Sequence, residues 1–267
     1  MTRFRVETIR SLAVLILLGL MTGCVTTSDS PFQREADRDE AVQKYVKLAM
    51  AYIGQGNMDR ARGHLDRALE LDPDNAGGQA AMGLVYQSEL EPELAEKAYQ
   101  NALSSDPDYT RGRVFYGAFL FGQNRFADAR DQFQRASEDT EFGERASVFF
   151  NLGITEERLD NLQAAARAYR RSVELSRGDA QSLLALSRML FELDDFQGAE
   201  RYYNRLTVTM QRNPNMRHSP QSLLTGIRIA RHFSDHDRES SLALLLRNKF
   251  PDSEEYQQYK VLNSDVE

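Results

Sequence analysis

A period of 34 residues runs through this chain and limits what it can fold into. Gly83, Gly117, Gly153 and Ser187 stand 34, 36 and 34 residues apart. Ala61, Ala95, Ala129, Ala165 and Ala199 keep the same step, with the 36 in the same place. Tyr99, Phe133, Tyr169 and Tyr203 repeat it again, and Pro73 and Pro107 are 34 apart. Small, aromatic and helix-ending residues therefore share one register, with one two-residue insertion near Glu144-Arg145. A fixed period of this length is the mark of stacked supersecondary units, each too small to bury its own apolar face. No alternating strand pattern and no hairpin signal interrupts it, so the chain is all-α.

Within each unit the residues follow one pattern. The first supplies Leu48, Ala49, Tyr52, Ala61, Leu65, Ala68 and Pro73; the second Met82, Gly83, Tyr86, Ala95, Tyr99, Ala102 and Pro107. This resembles the tetratricopeptide repeat (TPR), a helix-turn-helix unit. The resemblance implies a right-handed TPR superhelix, an α-solenoid of about six repeats. The small residues are expected where the two helices touch, the aromatic between one hairpin and the next, and the proline at the end of a unit. Units are placed at 42–75, 76–109, 110–143, 146–179, 180–213 and a divergent sixth at 219–251, with 252–267 as a C-terminal tail. A final repeat faces water on one side, which accounts for its divergence.

The N-terminus carries a different kind of information. Arg3, Arg5 and Arg10 precede an apolar run from Leu12 to Met21. Ten apolar residues are too few to span a bilayer, which takes about 20, so residues 1–23 read as a signal peptide. The run ends in Met21-Thr22-Gly23-Cys24, and Cys24 is the only cysteine. This resembles the bacterial lipoprotein box, with Met21 where leucine is commonest. The resemblance implies cleavage before Cys24 and acylation of that residue, with no other cofactor. Several acyl chains, at about 0.8 kcal/mol per buried CH₂, anchor durably where one is marginal. Val25 rather than Asp after the cysteine implies sorting to the outer membrane, with the repeats facing the periplasm. Residues 24–41 read as the acylated end and a polar tether, some 16 residues able to span at most about 50 Å.

Charge and composition exclude several functions. The net charge is −7, and loss of residues 1–23 removes Arg3, Arg5, Arg10 and Glu7, leaving 30 basic against 39 acidic residues. Nucleic acid is not the expected partner, because phosphate binding rests on clustered Lys and Arg. A single cysteine excludes a disulfide framework within the chain and a multi-cysteine zinc site. His232 and His236 are four apart beside Asp235 and Asp237, but they fall in an expected turn and read as solvated. His64 and His218 are isolated. Gly77-Gly78 has no neighbouring Lys and no preceding strand, so it is not a phosphate loop. No catalytic set, metal site or small-molecule substrate is implied.

In a TPR stack the first helices line a concave groove, and helix geometry selects roughly the second, fifth, ninth and twelfth residues of each unit. These are Gln43, Val46, Met50 and Ile53; then Gly77, Ala80, Leu84 and Gln87; then Arg111, Val114, Ala118 and Phe121. The fourth and fifth units add Ser147, Phe150, Ile154 and Glu157, and Gln181, Leu184, Arg188 and Phe191. Grooves that clamp acidic tails need Lys, Arg and Asn here. This groove is mostly apolar, which suits an amphipathic helix or an extended apolar segment. Its expected contacts are Val46, Met50, Ile53, Leu84, Val114, Phe121, Phe150, Ile154, Leu184 and Phe191. Alternatively the superhelix closes until these side chains pack on one another.

Four segments point to a particular family. They are Tyr45-Val46-Lys47-Leu48-Ala49-Met50-Ala51-Tyr52, Ala68-Leu69-Glu70-Leu71-Asp72-Pro73, Tyr116-Gly117-Ala118-Phe119-Leu120-Phe121-Gly122-Gln123 and Leu224-Thr225-Gly226-Ile227-Arg228-Ile229-Ala230. They resemble the PilF/PilW family of type IV pilus biogenesis lipoproteins. Phe121 departs from the cysteine often found there, and Thr225 sits in a stretch that is usually more apolar. The resemblance implies a pilotin, a lipoprotein that brings secretin subunits to the outer membrane and promotes their multimerisation. A TPR scaffold for another envelope complex, a barrel-insertion or peptidoglycan-enzyme adaptor, is the alternative.

Overall fold

The computed structural model describes residues 31–213 and 215–264, with side chains from residue 35 onward. Cys24 and the rest of the expected signal and anchor lie outside the described residues. Thirteen helices occur among these residues, and no strand. They form six hairpins: α1 (Pro31–Gly54) with α2 (Met58–Leu71), α3 (Ala76–Ser88) with α4 (Pro92–Ser105), and α5 (Thr110–Gly122) with α6 (Phe126–Glu138). The others are α7 (Arg145–Arg158) with α8 (Leu162–Leu175), α9 (Ala180–Glu192) with α10 (Phe196–Arg212), and α11 (Pro220–His232) with α12 (His236–Lys249). A last helix, α13 (Glu254–Ser264), follows. The hairpins stack in order into a superhelix, each touching its neighbours.

The recurring glycine is explained by what lies opposite it. A Cβ on Gly83 would sit 2.6 Å from the ring of Tyr99, one on Gly117 2.9 Å from Phe133, and one on Gly153 2.5 Å from Tyr169. Each ring belongs to the second helix of the same hairpin, so the pair sets the distance between the two helices. The ring also reaches the next unit: Tyr99 lies 5.8 Å from Tyr116 and 5.5 Å from Phe119. Ala61, Ala95, Ala129, Ala165 and Ala199 are fully buried beside these contacts.

The fifth unit breaks the rule in a compensated way. Ser187 replaces the glycine and donates its hydroxyl to the Ala199 carbonyl at 2.7 Å. Tyr203 instead presses on Gly226 of the next hairpin, and its hydroxyl donates to the Ser222 carbonyl at 2.9 Å.

The turn inside each hairpin repeats as well. Gly56, Leu90, Asn124, Asp160, Asp194 and Ser234 all adopt positive φ, the left-handed cap that reverses a helix. Pro92 and Pro220 open α4 and α11, where a missing N–H costs nothing. The two-residue insertion falls in the link between α6 and α7, at residues 139–144.

Two expectations about the ends need correction. Residues 31–41, read as tether, belong to α1, which runs unbroken into the first repeat. Their polarity hid ordinary helix formers and a Glu40–Lys44 pair one turn apart at 2.6 Å. Residues 252–267, read as a tail, contain α13. Its Tyr256 and Tyr259 cover the apolar cluster of Leu223, Ile227, Leu242 and Leu246, and Arg231 donates to the Leu262 carbonyl at 2.9 Å. A solenoid needs a cap on its last apolar face, and α13 supplies it.

Gly153→Val is expected to lower stability by about 1–3 kcal/mol through overpacking against Tyr169. Thermal melts measure the loss, and hydrogen exchange should place the loosening in the fourth hairpin and its neighbours. A variant as stable as the parent would contradict the ring-on-glycine contact.

Candidate functional site

Each first helix spends one face on the core, and the stripe beside it is only partly buried. Val46, Met50, Ile53, Leu84, Val114, Phe121, Phe150, Ile154, Leu184 and Phe191 are all partly buried, none sealed in the core and none fully exposed. Met50 and Ile53 rest on the first-unit core, Leu84, Val114 and Phe121 on the middle one, and Phe150, Ile154, Leu184 and Phe191 on the core of units four and five, while Val46 belongs to none of these clusters. The structure brings only some of them together.

Phe150, Ile154 and Leu184 share a hollow of about 750 Å³ built from α7, Tyr169 of α8, α9, α10, the link after α10 and the start of α11. A smaller hollow of about 110 Å³ holds Phe121 and, again, Ile154. Phe191 is separated from both. It lines another hollow with Ile227 and Arg228, packs edge-on against Phe196 at 5.1 Å and lies under the Arg228 guanidinium at 4.6 Å. Val46, Met50, Ile53, Leu84 and Val114 line none of these hollows.

The main hollow is less apolar than its sequence suggests. Glu157 on α7 and Arg188 on α9 face each other across it, with Arg188 Nη2 2.6 Å from Glu157 Oε1. The Tyr169 hydroxyl donates to the same carboxylate oxygen. Burial, and then the bond to Glu157, push the Tyr169 phenol far above its ordinary range, so it stays protonated and donates. Glu157 thus accepts from two donors, while Nε of Arg188 is buried with no partner. Arg158, Arg188 and Arg217 line the hollow, with Glu157 as its one carboxylate.

Sequence reading missed one wall entirely. Leu206 and Met210 come from α10, and Met216 and Ser219 from the link that follows. The available signal was length: α10 has 17 residues where α2, α4 and α8 have 14 each, and Met210 lies beyond the last turn of a standard second helix. His218 fastens this wall. Ser222 Oγ donates to the Ser219 carbonyl at 2.9 Å and is 3.0 Å from His218 Nδ1, which must then donate to it. His232 is exposed, as expected of a solvated residue, but it ends α11 rather than lying in the turn, and its ring stacks 3.6 Å from that of Phe196. His236 opens α12. No group of metal-binding side chains and no membrane-length apolar helix occurs among the described residues.

Helical hairpins in a superhelix, with a half-apolar concave hollow, define a TPR protein-interaction solenoid. The tetratricopeptide repeat family matches residues 39–75, 80–143 and 150–215. Over 254 residues, 95% of this chain and 98% of the relative, the sequence is 35% identical to the type IV pilus assembly protein PilF of Pseudomonas aeruginosa. A solved structure from the functional characterisation of Pseudomonas aeruginosa PilF superposes with a TM-score of 0.75 at 34% identity, over 84% of this chain and 99% of that one. PilW, described as a widely conserved type IV pilus biogenesis factor, shares the fold, with a TM-score of 0.66 at 23% identity over 82% of this chain and 97% of PilW. The chain belongs to the PilF family of type IV pilus biogenesis TPR proteins.

Burial holds the His218 imidazole below its ordinary value of 6.5, so it is neutral in the folded protein at pH 7. The unfolded chain binds a proton there as pH falls through 6.5 and the folded chain resists it, so this group's contribution to stability declines on acidification. His218→Gln should therefore lose less melting temperature than the parent between pH 7 and pH 5. Parallel losses in the two proteins would contradict the assignment.

Proposed function

We propose that this chain is the pilotin of a type IV pilus system, a non-enzymatic outer-membrane lipoprotein that holds secretin subunits until they assemble. The observation that carries this reading is membership of the PilF family over 95% of the chain. The hollow adds support, because Phe150, Ile154 and Leu184 leave apolar surface unsealed, and exposed apolar area of this kind serves interaction. Met21-Thr22-Gly23-Cys24 supports an acylated Cys24, and Val25 supports the outer membrane as its destination.

The mechanism follows from these parts. A secretin subunit carries membrane-seeking surface that would aggregate in the periplasm. Seating part of it against the concave face removes that surface from water. The acyl chains then bring carrier and cargo to one bilayer, raising the local concentration of subunits that must meet to form a ring. The groove contacts in this reading are Val46, Met50, Ile53, Leu84, Val114 and Phe121, continued by Phe150, Ile154, Leu184 and Phe191. No bond is made or broken in any step.

Deleting the gene should remove secretin multimers from the outer-membrane fraction, and the secretin should co-purify with the tagged protein. Unchanged multimers, or co-purification of barrel-assembly subunits in place of a secretin, would overturn the proposal. Cys24→Ser should leave the outer-membrane fraction. Its retention there would refute the anchor.

A further inference from the structure

We infer that the hollow of units four to six takes an internal segment of a partner chain in which apolar side chains flank an acidic one. The inference shares with the pilotin reading only the use of the concave face and does not require that the partner be a secretin.

Three observations lead to it. The first is the floor: Phe150, Ile154 and Leu184 are held half-buried by rigid helices in a space of about 750 Å³. That size lies within the range of about 300–1,000 Å³ typical of sites that bury most of a small ligand.

The second is charge. The whole chain carries −7, yet the wall of this hollow sets Arg158 and Arg188 beside a single carboxylate, Glu157. Glu157 is already engaged by Tyr169 and by one nitrogen of Arg188. A guanidinium has five N–H donors in a fixed fork; Arg188 gives only Nη2 to Glu157, and its side chain stays 26% exposed. Donors are therefore left for a second acceptor, and a carboxylate is the one that returns most. Arg158 has no carboxylate partner among the described residues. Its guanidinium lies 6.0 Å over the rings of Phe121 and Phe126, at the passage toward the neighbouring hollow.

The third is continuity. Ile154 lines this hollow and also the one beside Phe121, so the depression continues along the concave face toward the third unit. Arg188 sits mid-helix in α9 rather than at an end. A chain in this trough passes Arg188 and runs on, which selects an acidic side chain within a segment over a chain terminus.

The test uses the full chain in detergent and a fluorescein-labelled heptapeptide, Gly-Leu-Phe-Asp-Leu-Ile-Gly, blocked at both ends and read by fluorescence anisotropy. The Asp peptide should bind about tenfold more tightly than its Asn counterpart, the scale of a charge-assisted bond over a neutral one. A peptide with Ser at the four apolar positions should show no saturable binding. Arg188→Gln should erase the Asp preference. Because that change also strands Glu157, Glu157→Gln serves as the partner variant: it frees Arg188 and should keep or increase the preference. Ile154→Ser should weaken both peptides, and Met50→Ser in the first unit should weaken neither.

Equal affinity for the Asp and Asn peptides would overturn the inference. So would the absence of saturable binding, or binding that depends on Met50 rather than Ile154. A peptide ending in a free carboxylate that binds more tightly than the blocked one would overturn the choice of an internal segment. Failure of a secretin to co-purify, with the Asp preference intact, would sink the pilotin reading and leave this site standing.

Discussion

The contact of an aromatic ring on a bare backbone holds this molecule together. Gly83, Gly117 and Gly153 each leave just enough room for Tyr99, Phe133 and Tyr169 to lie against the first helix of their hairpin. The Tyr99 ring also reaches Tyr116 and Phe119 of the next unit, so there one residue serves both the spacing inside a hairpin and the step between hairpins. Apolar material is modest in this chain, at 41% of residues. A core made of repeated narrow seams uses it economically, because the same few rings, Tyr99, Phe133 and Tyr169, are almost wholly buried in them. Where Ser187 takes the glycine position, its hydroxyl satisfies itself on a buried carbonyl and Tyr203 transfers its contact to Gly226. The register survives because the geometry is met by other atoms.

The concave face is a consequence of that packing. A first helix that turns its glycine toward its partner must turn the neighbouring stripe away from it. Those side chains are stacked side by side by the superhelix and remain partly exposed. Depth comes from irregularity. The longer α10 and the link before α11 raise a wall that regular repeats would not have. The main hollow thus arises where the period is broken.

The repeat was legible because sterics recur at fixed intervals: small, aromatic and turn residues cannot drift without loss of packing. For the ten expected groove positions, helix register indicated side chains left partly buried, but not which of them would share a hollow: Phe150, Ile154 and Leu184 do, and Val46, Met50, Ile53, Leu84 and Val114 do not. What the sequence left hidden were relations between distant positions. Glu157 and Arg188 each occupy an inward position, but their pairing across two helices, with Tyr169 as third member, needs the superhelical step. Phe191 has the right register, yet Phe196 and Arg228 pack against it. Residues 31–41 and 254–264 lie outside the 34-residue pattern, so periodicity had no means of marking them as helical. Their helices follow from local propensity at one end and from the need to cap an apolar face at the other.

The central claim is that the concave face holds a pilus partner. A photo-crosslinking amino acid placed at Leu184, in the floor of the hollow, tests it in living cells, with Arg167 on the exposed side of α8 as the control position. The account predicts an adduct between the Leu184 probe and the pilus secretin, and none from Arg167. An adduct from Arg167 alone, or a Leu184 adduct only to other proteins, would contradict it.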